Sequence, residues 1–292
     1  MSDLFPPFEP EAPEPPRRRF QAIPLRLLVP NVVTLLALCA GLTGIRMAFE
    51  GRMELALGAI VIAAVLDAMD GRLARMLQGT SRFGAELDSL SDFLCFGVAP
   101  ALIIYMWGLD VLGSLGWIAS LAFAICAGLR LARFNVMLED PNKPPFAADY
   151  FTGIPAPAGA LIMLLPIYLE MIGLPRLVVT PAVAALFTLG IGLLMVSKLP
   201  AFSGKRLGAR IPRDKVMPLF VAVVLSVAVL VTWPWATLSV VCLAYLAALP
   251  FSAMRYAGQM RAYEARLASG GRPEEPHGVE VPDEHRPPSH LN

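Results

Sequence analysis

The sequence predicts an all-α fold, a polytopic integral membrane helical bundle of about eight transmembrane helices. Three observations predict it. Of the 292 residues, 56% are hydrophobic and only 16% are charged, with a mean hydropathy of +0.61, whereas soluble domains run near ~45–50% apolar and ~25% charged. The apolar residues fall in blocks of roughly the length a helix needs to cross a ~30 Å hydrocarbon core. Eight such blocks follow one another, separated by short polar or proline-bearing breaks.

Composition also excludes several classes. Lys and Arg number 24 against 23 Asp and Glu, a net charge of +1, with no basic face of the kind nucleic acid requires. The cysteines Cys39, Cys95, Cys126 and Cys242 stand singly in apolar blocks, without the spacing of a metal pair or a disulfide framework. They read as small buried residues. The first apolar block begins too late and runs too long for the h-region of a cleavable signal peptide.

In chain order, residues 1–26 are Pro-rich and charged, a disordered cytoplasmic tail whose Arg17, Arg18 and Arg19 are placed to meet anionic headgroups. A membrane domain spans 27–257, and 258–292 is a second disordered cytoplasmic tail carrying His277, His285 and His290, read as solvated. The first span, about 27–49, opens with Pro30-Asn31-Val32-Val33-Thr34. Asn31 and Thr34 are i and i+3 and share a face, suited to interhelical hydrogen bonds or to a ligand. The second span is about 54–76. The third, about 83–107, contains Pro100, which should loosen it. The fourth, about 113–135, ends in Arg130-Leu131-Ala132-Arg133-Phe134-Asn135; the plainest role for its two arginines is interfacial anchoring. Residues 136–152 read as a polar loop leading into the Gly/Pro-dense run Gly153-Ile154-Pro155-Ala156-Pro157. The remaining spans are about 157–174, 178–197, 216–233 and 236–256.

Eight spans put both termini on one side, and the positive-inside rule fixes which. Arg17–Arg19 and Arg26, then Arg72, Arg75 and Arg82, then Arg130, Arg133 and Lys143 lie on that side. So do the Lys198–Lys215 cluster and Arg255, Arg261, Arg266 and Arg272. Arg46, Arg52 and Arg176 are the cations of the other. The termini are therefore expected in the cytoplasm and the domain in the cell (inner) membrane.

The functional signal is four carboxylates inside apolar spans. Asp67 and Asp70 are i and i+3 near the end of the second span; Asp88 and Asp92 are i and i+4 in the first turns of the third. An ionised side chain at the centre of a spanning helix costs roughly 2.5–3.5 kcal/mol on insertion scales, and the nearby cations are Arg72, Arg75 and Arg82. Further positive charge is expected from outside the chain, and oxygen-only ligands favour Mg²⁺ or Mn²⁺. A short turn makes the two helices antiparallel neighbours, so their carboxylates face one another at one depth, an arrangement able to hold two ions. Gly71, Ala74 and Gly84 leave room for close approach.

The pattern D-x2-D-G-x2-A-R-x8-G-x3-D-x3-D is filled by Asp67, Asp70, Gly71, Ala74, Arg75, Gly84, Asp88 and Asp92. It resembles the signature of the CDP-alcohol phosphatidyltransferase family of integral membrane enzymes. The resemblance implies a CDP-diacylglycerol substrate, two divalent cations bound by Asp67, Asp70, Asp88 and Asp92, and Asp92 as general base. It also implies that Arg75 pairs with the diphosphate, with Asn31, Thr34, Gly71, Ala74, Ser81 and Gly84 around the CDP group, and a homodimer. The further runs Ser91–Ala101, Arg130–Asn135 and Phe151–Ala158 are similar to the members of the family that use L-serine, and the carboxylate of serine would need Arg130 or Arg133. The resemblance covers about 27–160. Rival readings are another acceptor (choline, glycerol 3-phosphate or an inositol phosphate), a cation- or proton-coupled transporter, and a catalytically silent lipid-binding scaffold.

Overall fold

The computed structural model describes residues 25–77, 81–138, 150–175, 180–202 and 213–268. Residues 1–24 and 269–292 of the two tails, with the Arg17–Arg19 cluster and the three histidines, lie outside the described residues, as do Lys143, Arg176 and most of the 198–215 loop; residues 258–268 of the expected C-terminal tail are helical.

The described chain is a helical bundle. α1 (Leu25–Phe49) and α2 (Met53–Met76) form an antiparallel hairpin, closed by Gly51 at φ 73°. The pair packs closely because small residues face each other. A Cβ added at Gly44 would lie 3.2 Å from the Ala56 carbonyl oxygen and 3.4 Å from the Ala59 Cβ. The third pass is continuous from Arg82 to Leu112 but not uniform. It comprises α3 (Arg82–Asp92), a π-helical turn (Phe93–Val98), α4 (Ala99–Ile104), a second π-helical turn (Tyr105–Leu109) and a final 3₁₀ turn. Pro100 sits in the first turn of α4 but inside the continuous pass, so its missing N–H frees one carbonyl of the preceding turn. The expected loosening therefore falls one turn earlier, as the wider π register.

α5 (Ser114–Leu138) crosses back and packs on α8 (Pro181–Val196), with Gly192 against the backbone of Phe123. Between them the fifth pass is two helices, α6 (Ala156–Met163) and α7 (Leu165–Met171), where one helix was expected. Pro166 in the first turn of α7 cannot continue the hydrogen bonding of α6, so the chain restarts at Leu164. The core lies where these elements meet; Ile60, Phe96, Ile103, Phe123, Met163 and Tyr168 are buried in it. α9 (Arg213–Thr232) and α10 (Pro234–Ala268) complete the described residues. α10 continues well past the expected end of the eighth span at 256. At ~1.5 Å per residue its 35 residues reach ~52 Å, more than a hydrocarbon core requires.

Among the described residues, four helical stretches are long and apolar enough to cross a membrane: Leu28–Phe49, Arg82–Leu112, Ser114–Val136 and Pro234–Arg261. Pro181–Val196 and Val216–Thr232 are apolar but shorter. α2 matches them in length, yet none of its eighteen-residue stretches has fewer than three charged side chains, Asp67 and Asp70 being two of them in every case. The helices expose apolar side chains on their outer faces, Val216, Phe220, Val223 and Val227 of α9 among them. Such surfaces suit lipid and not water, and the chain is an integral membrane protein.

Part of the expected 136–152 loop is a strand. β1 (Tyr150–Thr152) pairs antiparallel with β2 (Pro200–Phe202), Phe151 opposite Ala201. Gly153 follows β1 at φ 79°, donating its N–H to the Leu199 carbonyl at 2.8 Å. A Cβ there would meet the Met195 carbonyl oxygen and lie 3.0 Å from that of Ser197. Gly153→Ala thus combines a left-handed backbone with a backbone clash. It is expected to lower stability by about 2–4 kcal/mol, read as a shifted denaturant midpoint in detergent.

Candidate active site

The site is built at the end of the bundle where α2 finishes and α3 begins. Ser81 starts α3: its backbone is extended, and its hydroxyl accepts a hydrogen bond from Gly84 N–H at 3.0 Å, satisfying one orphan donor of the first turn. Gly84 is held close to α1, since a Cβ there would lie 2.8 Å from the Asn31 Oδ1 and 3.1 Å from the Ser81 Oγ. Asn31, Ser81 and Gly84 therefore form one small polar group joining α1 to α3.

Further in, the third pass is strapped to α1 by two side chains that the sequence reading gave no site role. Ser91 Oγ donates to the Thr34 carbonyl at 3.4 Å, and Cys95 Sγ to the Ala37 carbonyl at 3.3 Å. Gly41 permits this approach; a Cβ there would be 2.7 Å from Cys95 Sγ. On the other flank, Asn135 Nδ2 donates to Ser89 Oγ at 3.1 Å, tying the end of α5 to α3.

This scaffold brings the carboxylates together. One oxygen each from Asp67, Asp70 and Asp88 lies within 4.8 Å of the others. Asp70 is only 4% exposed, and its Oδ2 accepts a hydrogen bond from the Thr34 hydroxyl at 2.7 Å. Thr34 Oγ1 also lies 3.1 Å from the Pro30 carbonyl, the alternative acceptor for its single proton. Asp92, one turn beyond Asp88 and half-buried, faces the Asp67 carboxyl, and the Arg130 guanidinium acts electrostatically on both.

Two ionised carboxylates 4.8 Å apart repel by roughly 3–4 kcal/mol at an effective dielectric of about 20. The donor set is oxygen only and convergent, with Asp70 buried and Asp67 and Asp88 half-buried. Those are the features a hard divalent cation requires, so the residues present fit such an ion.

Other expected site residues occupy distinct positions. Gly71 is exposed one turn of helix beyond Asp67, with no heavy atom within 4 Å of where its Cβ would stand, so a ligand can approach the backbone there. Arg75 is exposed beside it, donating from Nε to the Gly71 carbonyl at 3.0 Å. Ala74 is half-buried between them. The two arginines of α5 diverge. Arg133 donates to the last carbonyls of α8, Val196 at 2.6 Å and Ser197 at 3.0 Å, a favourable place for a cation at a helix C-terminus. Arg130 is buried at 7% exposure, with its guanidinium 5.5 Å from the centroid of the Phe134 ring. Periodicity put the two on one face; only the packing separates them.

Comparison with known proteins identifies the family. The family model described as CDP-alcohol phosphatidyltransferase matches residues 27–196, and a second, CDP-alcohol phosphatidyltransferase 2, matches 215–250. The match thus continues through α8 and again through α9 and much of α10, further than the 27–160 read from motifs. Three similar proteins share the name CDP-diacylglycerol–serine O-phosphatidyltransferase. That of Mycobacterium tuberculosis is 36% identical over 225 residues, covering 77% of this chain and 78% of the relative. That of Mycobacterium leprae is 37% identical over 238 residues (81% and 77%), and that of Bacillus subtilis 33% over 172 residues (59% and 88%). With its motif complete, its carboxylates convergent and more than half its length matched, the chain belongs to the CDP-alcohol phosphatidyltransferase family of membrane enzymes.

Proposed function

We propose that this enzyme transfers the phosphatidyl group of CDP-diacylglycerol to the side-chain hydroxyl of L-serine, giving phosphatidylserine and CMP. The observation that carries the reading is the convergence of Asp67, Asp70 and Asp88 within 4.8 Å, with Asp92 and the buried Arg130 beside them. The relatives' shared name supports serine as the acceptor.

Asp67, Asp70 and Asp88, completed by Asp92, hold two divalent cations, Mg²⁺ or Mn²⁺, which when bound neutralise the diphosphate and the charge that develops on it. Thr34 acts through Asp70, fixing its carboxylate by the 2.7 Å hydrogen bond. Asn31, Ser81 and Gly84 line the cytidine side, and Gly71 and Ala74 let the nucleotide lie against α2. Arg75, exposed beside Gly71, pairs with the diphosphate through its planar guanidinium. Asp92 takes the proton of the serine hydroxyl. The serine oxygen then bonds to the phosphorus bearing diacylglycerol, and the bond from that phosphorus to the oxygen of CMP breaks. Arg130 binds the serine carboxylate, while Arg133 holds the α5–α8 contact that places it.

In this reading all eight helical passes lie in the inner membrane, and the two shorter apolar helices and the broken α6–α7 pass are accommodated by packing within the bundle. The termini and the aspartate site face the cytoplasm, where CMP and serine are soluble, and the enzyme is a homodimer. The test is CMP release from CDP-diacylglycerol with Mn²⁺ and a panel of alcohols. Serine is expected to give at least about tenfold higher kcat/KM than choline, glycerol 3-phosphate or inositol phosphate. Faster release with one of these overturns the acceptor, and no release with any alcohol overturns the enzymatic reading in favour of a transporter or scaffold.

A further inference from the structure

A second polar cluster is shared between α5 and α10. Arg130 is buried, and its Nε has no hydrogen-bond partner among the described residues. The Tyr245 hydroxyl of α10 is also buried and, among the described residues, also unpartnered. The two groups interact electrostatically, and Arg130 acts in the same way on Asp92 and Asp67. Neighbouring contacts tie α5 and α10 to common elements. One turn before Tyr245, Cys242 Sγ lies 3.6 Å from the Leu161 carbonyl; two turns after it, Ser252 Oγ donates to the Pro200 carbonyl at 2.7 Å. One turn after Arg130, Arg133 grips Val196 and Ser197, just before Pro200. The end of α8 and the β2 strand thus contact both α5, at Arg133, and the middle of α10, at Ser252, and Arg130 interacts electrostatically with Tyr245 on one side and with the aspartates on the other.

A guanidinium has only donors, and a phenol hydroxyl donates readily. Two buried donors left without acceptors are costly, and one small anion between them satisfies both with charge-assisted hydrogen bonds. Serine is three carbons long. A carboxylate anchored at Arg130 therefore leaves its hydroxyl within reach of Asp92. We propose that Tyr245 and Arg130 together bind the carboxylate of the amino-acid acceptor, making Tyr245 a specificity residue for α-amino acids over alcohols that lack the carboxylate. The inference rests on the serine reading above and adds to it a residue from α10, outside the aspartate motif.

The test is initial-rate kinetics of the purified full chain in mixed micelles with Mn²⁺ and CDP-diacylglycerol, comparing serine with serine methyl ester. Tyr245→Phe is expected to raise the KM for serine about tenfold, to leave the KM for CDP-diacylglycerol within about twofold, and to erode the preference for serine over its ester by a similar factor. Tyr245→Gln, which keeps a donor, is expected to fall between. A serine KM within about twofold of wild type in both variants, with the preference intact, overturns the inference alone. Should Tyr245→Phe not fold, Tyr245→Gln decides on the same criterion. A wild type that uses another alcohol and not serine overturns the acceptor reading, and this inference with it.

Discussion

Replacing Asp70 and Asp88 together by Asn is expected to lower metal-dependent CMP release by about a thousandfold or more while leaving the bundle folded. The two residues come from different helices, and one oxygen from each lies within 4.8 Å of the other and of Asp67. Asparagine keeps the size and one acceptor of each side chain but removes two of the negative charges that would hold a cation. In phosphoryl transfer, positioning and charge neutralisation are nearly the whole of catalysis, so losing the ligands is felt in kcat. Stability should move the other way or hardly at all, because the substitution relieves repulsion between a buried carboxylate and a half-buried one. Asp70→Asn alone keeps an acceptor for Thr34, so any loss in the single variant reports on charge. CMP release at saturating Mn²⁺, paired with a detergent unfolding midpoint, separates the two effects. A double variant with full turnover would remove the carboxylate site from the account.

The second large effect distinguishes two arginines one turn apart. Arg130→Lys is expected to raise the KM for serine by about thirtyfold or more, with little change in the KM for CDP-diacylglycerol. Arg130 is buried beside Asp67 and Asp92, and lysine cannot reproduce its planar fork or its stacking over Phe134. Arg133→Lys is expected to act on stability instead, by about 1–2 kcal/mol. Its guanidinium bridges two successive carbonyls at the end of α8, Val196 at 2.6 Å and Ser197 at 3.0 Å, and a single ammonium spans them poorly. Kinetics and unfolding on the same two preparations check both halves. If both variants keep the wild-type KM for serine, neither arginine binds the acceptor.

The aspartate cluster was legible in the sequence because helical periodicity is rigid. Asp67 and Asp70 must share a face, Asp88 and Asp92 must share another, and a turn of a few residues leaves no choice but to oppose them. What could not be read is what depends on the partner across a contact. Arg130 and Arg133 have identical local patterns, and only the end of α8, more than sixty residues on, tells them apart. The same holds for Thr34, whose shared face with Asn31 was evident but whose hydroxyl is directed at Asp70. Tyr245 carried no signal at all, being an ordinary aromatic in an apolar block.

The fold shows a parallel division. Hydropathy locates where a chain meets lipid, so the described helices fall close to the expected spans. It does not mark where a helix ends, and α10 runs on past residue 256 as a polar helix. Nor does it register hydrogen-bond pattern. Pro100 and Pro166 are both prolines in apolar blocks, yet the first follows a π-helical turn in a continuous pass while the second divides a pass in two. The strand at Tyr150–Thr152 depends on Pro200–Phe202, a pairing too distant for local pattern to reveal.

Joint binding of divalent cations by carboxylates of α2 and α3 is the step on which the proposed transfer turns. The most direct measurement is turnover of the purified wild type on CDP-diacylglycerol and serine, first in excess chelator and then on back-titration with Mn²⁺. The account expects turnover to vanish and then to return along a saturable curve, with Asp70→Asn and Asp88→Asn each failing to recover at the same concentrations. Equal turnover with and without chelator would contradict it.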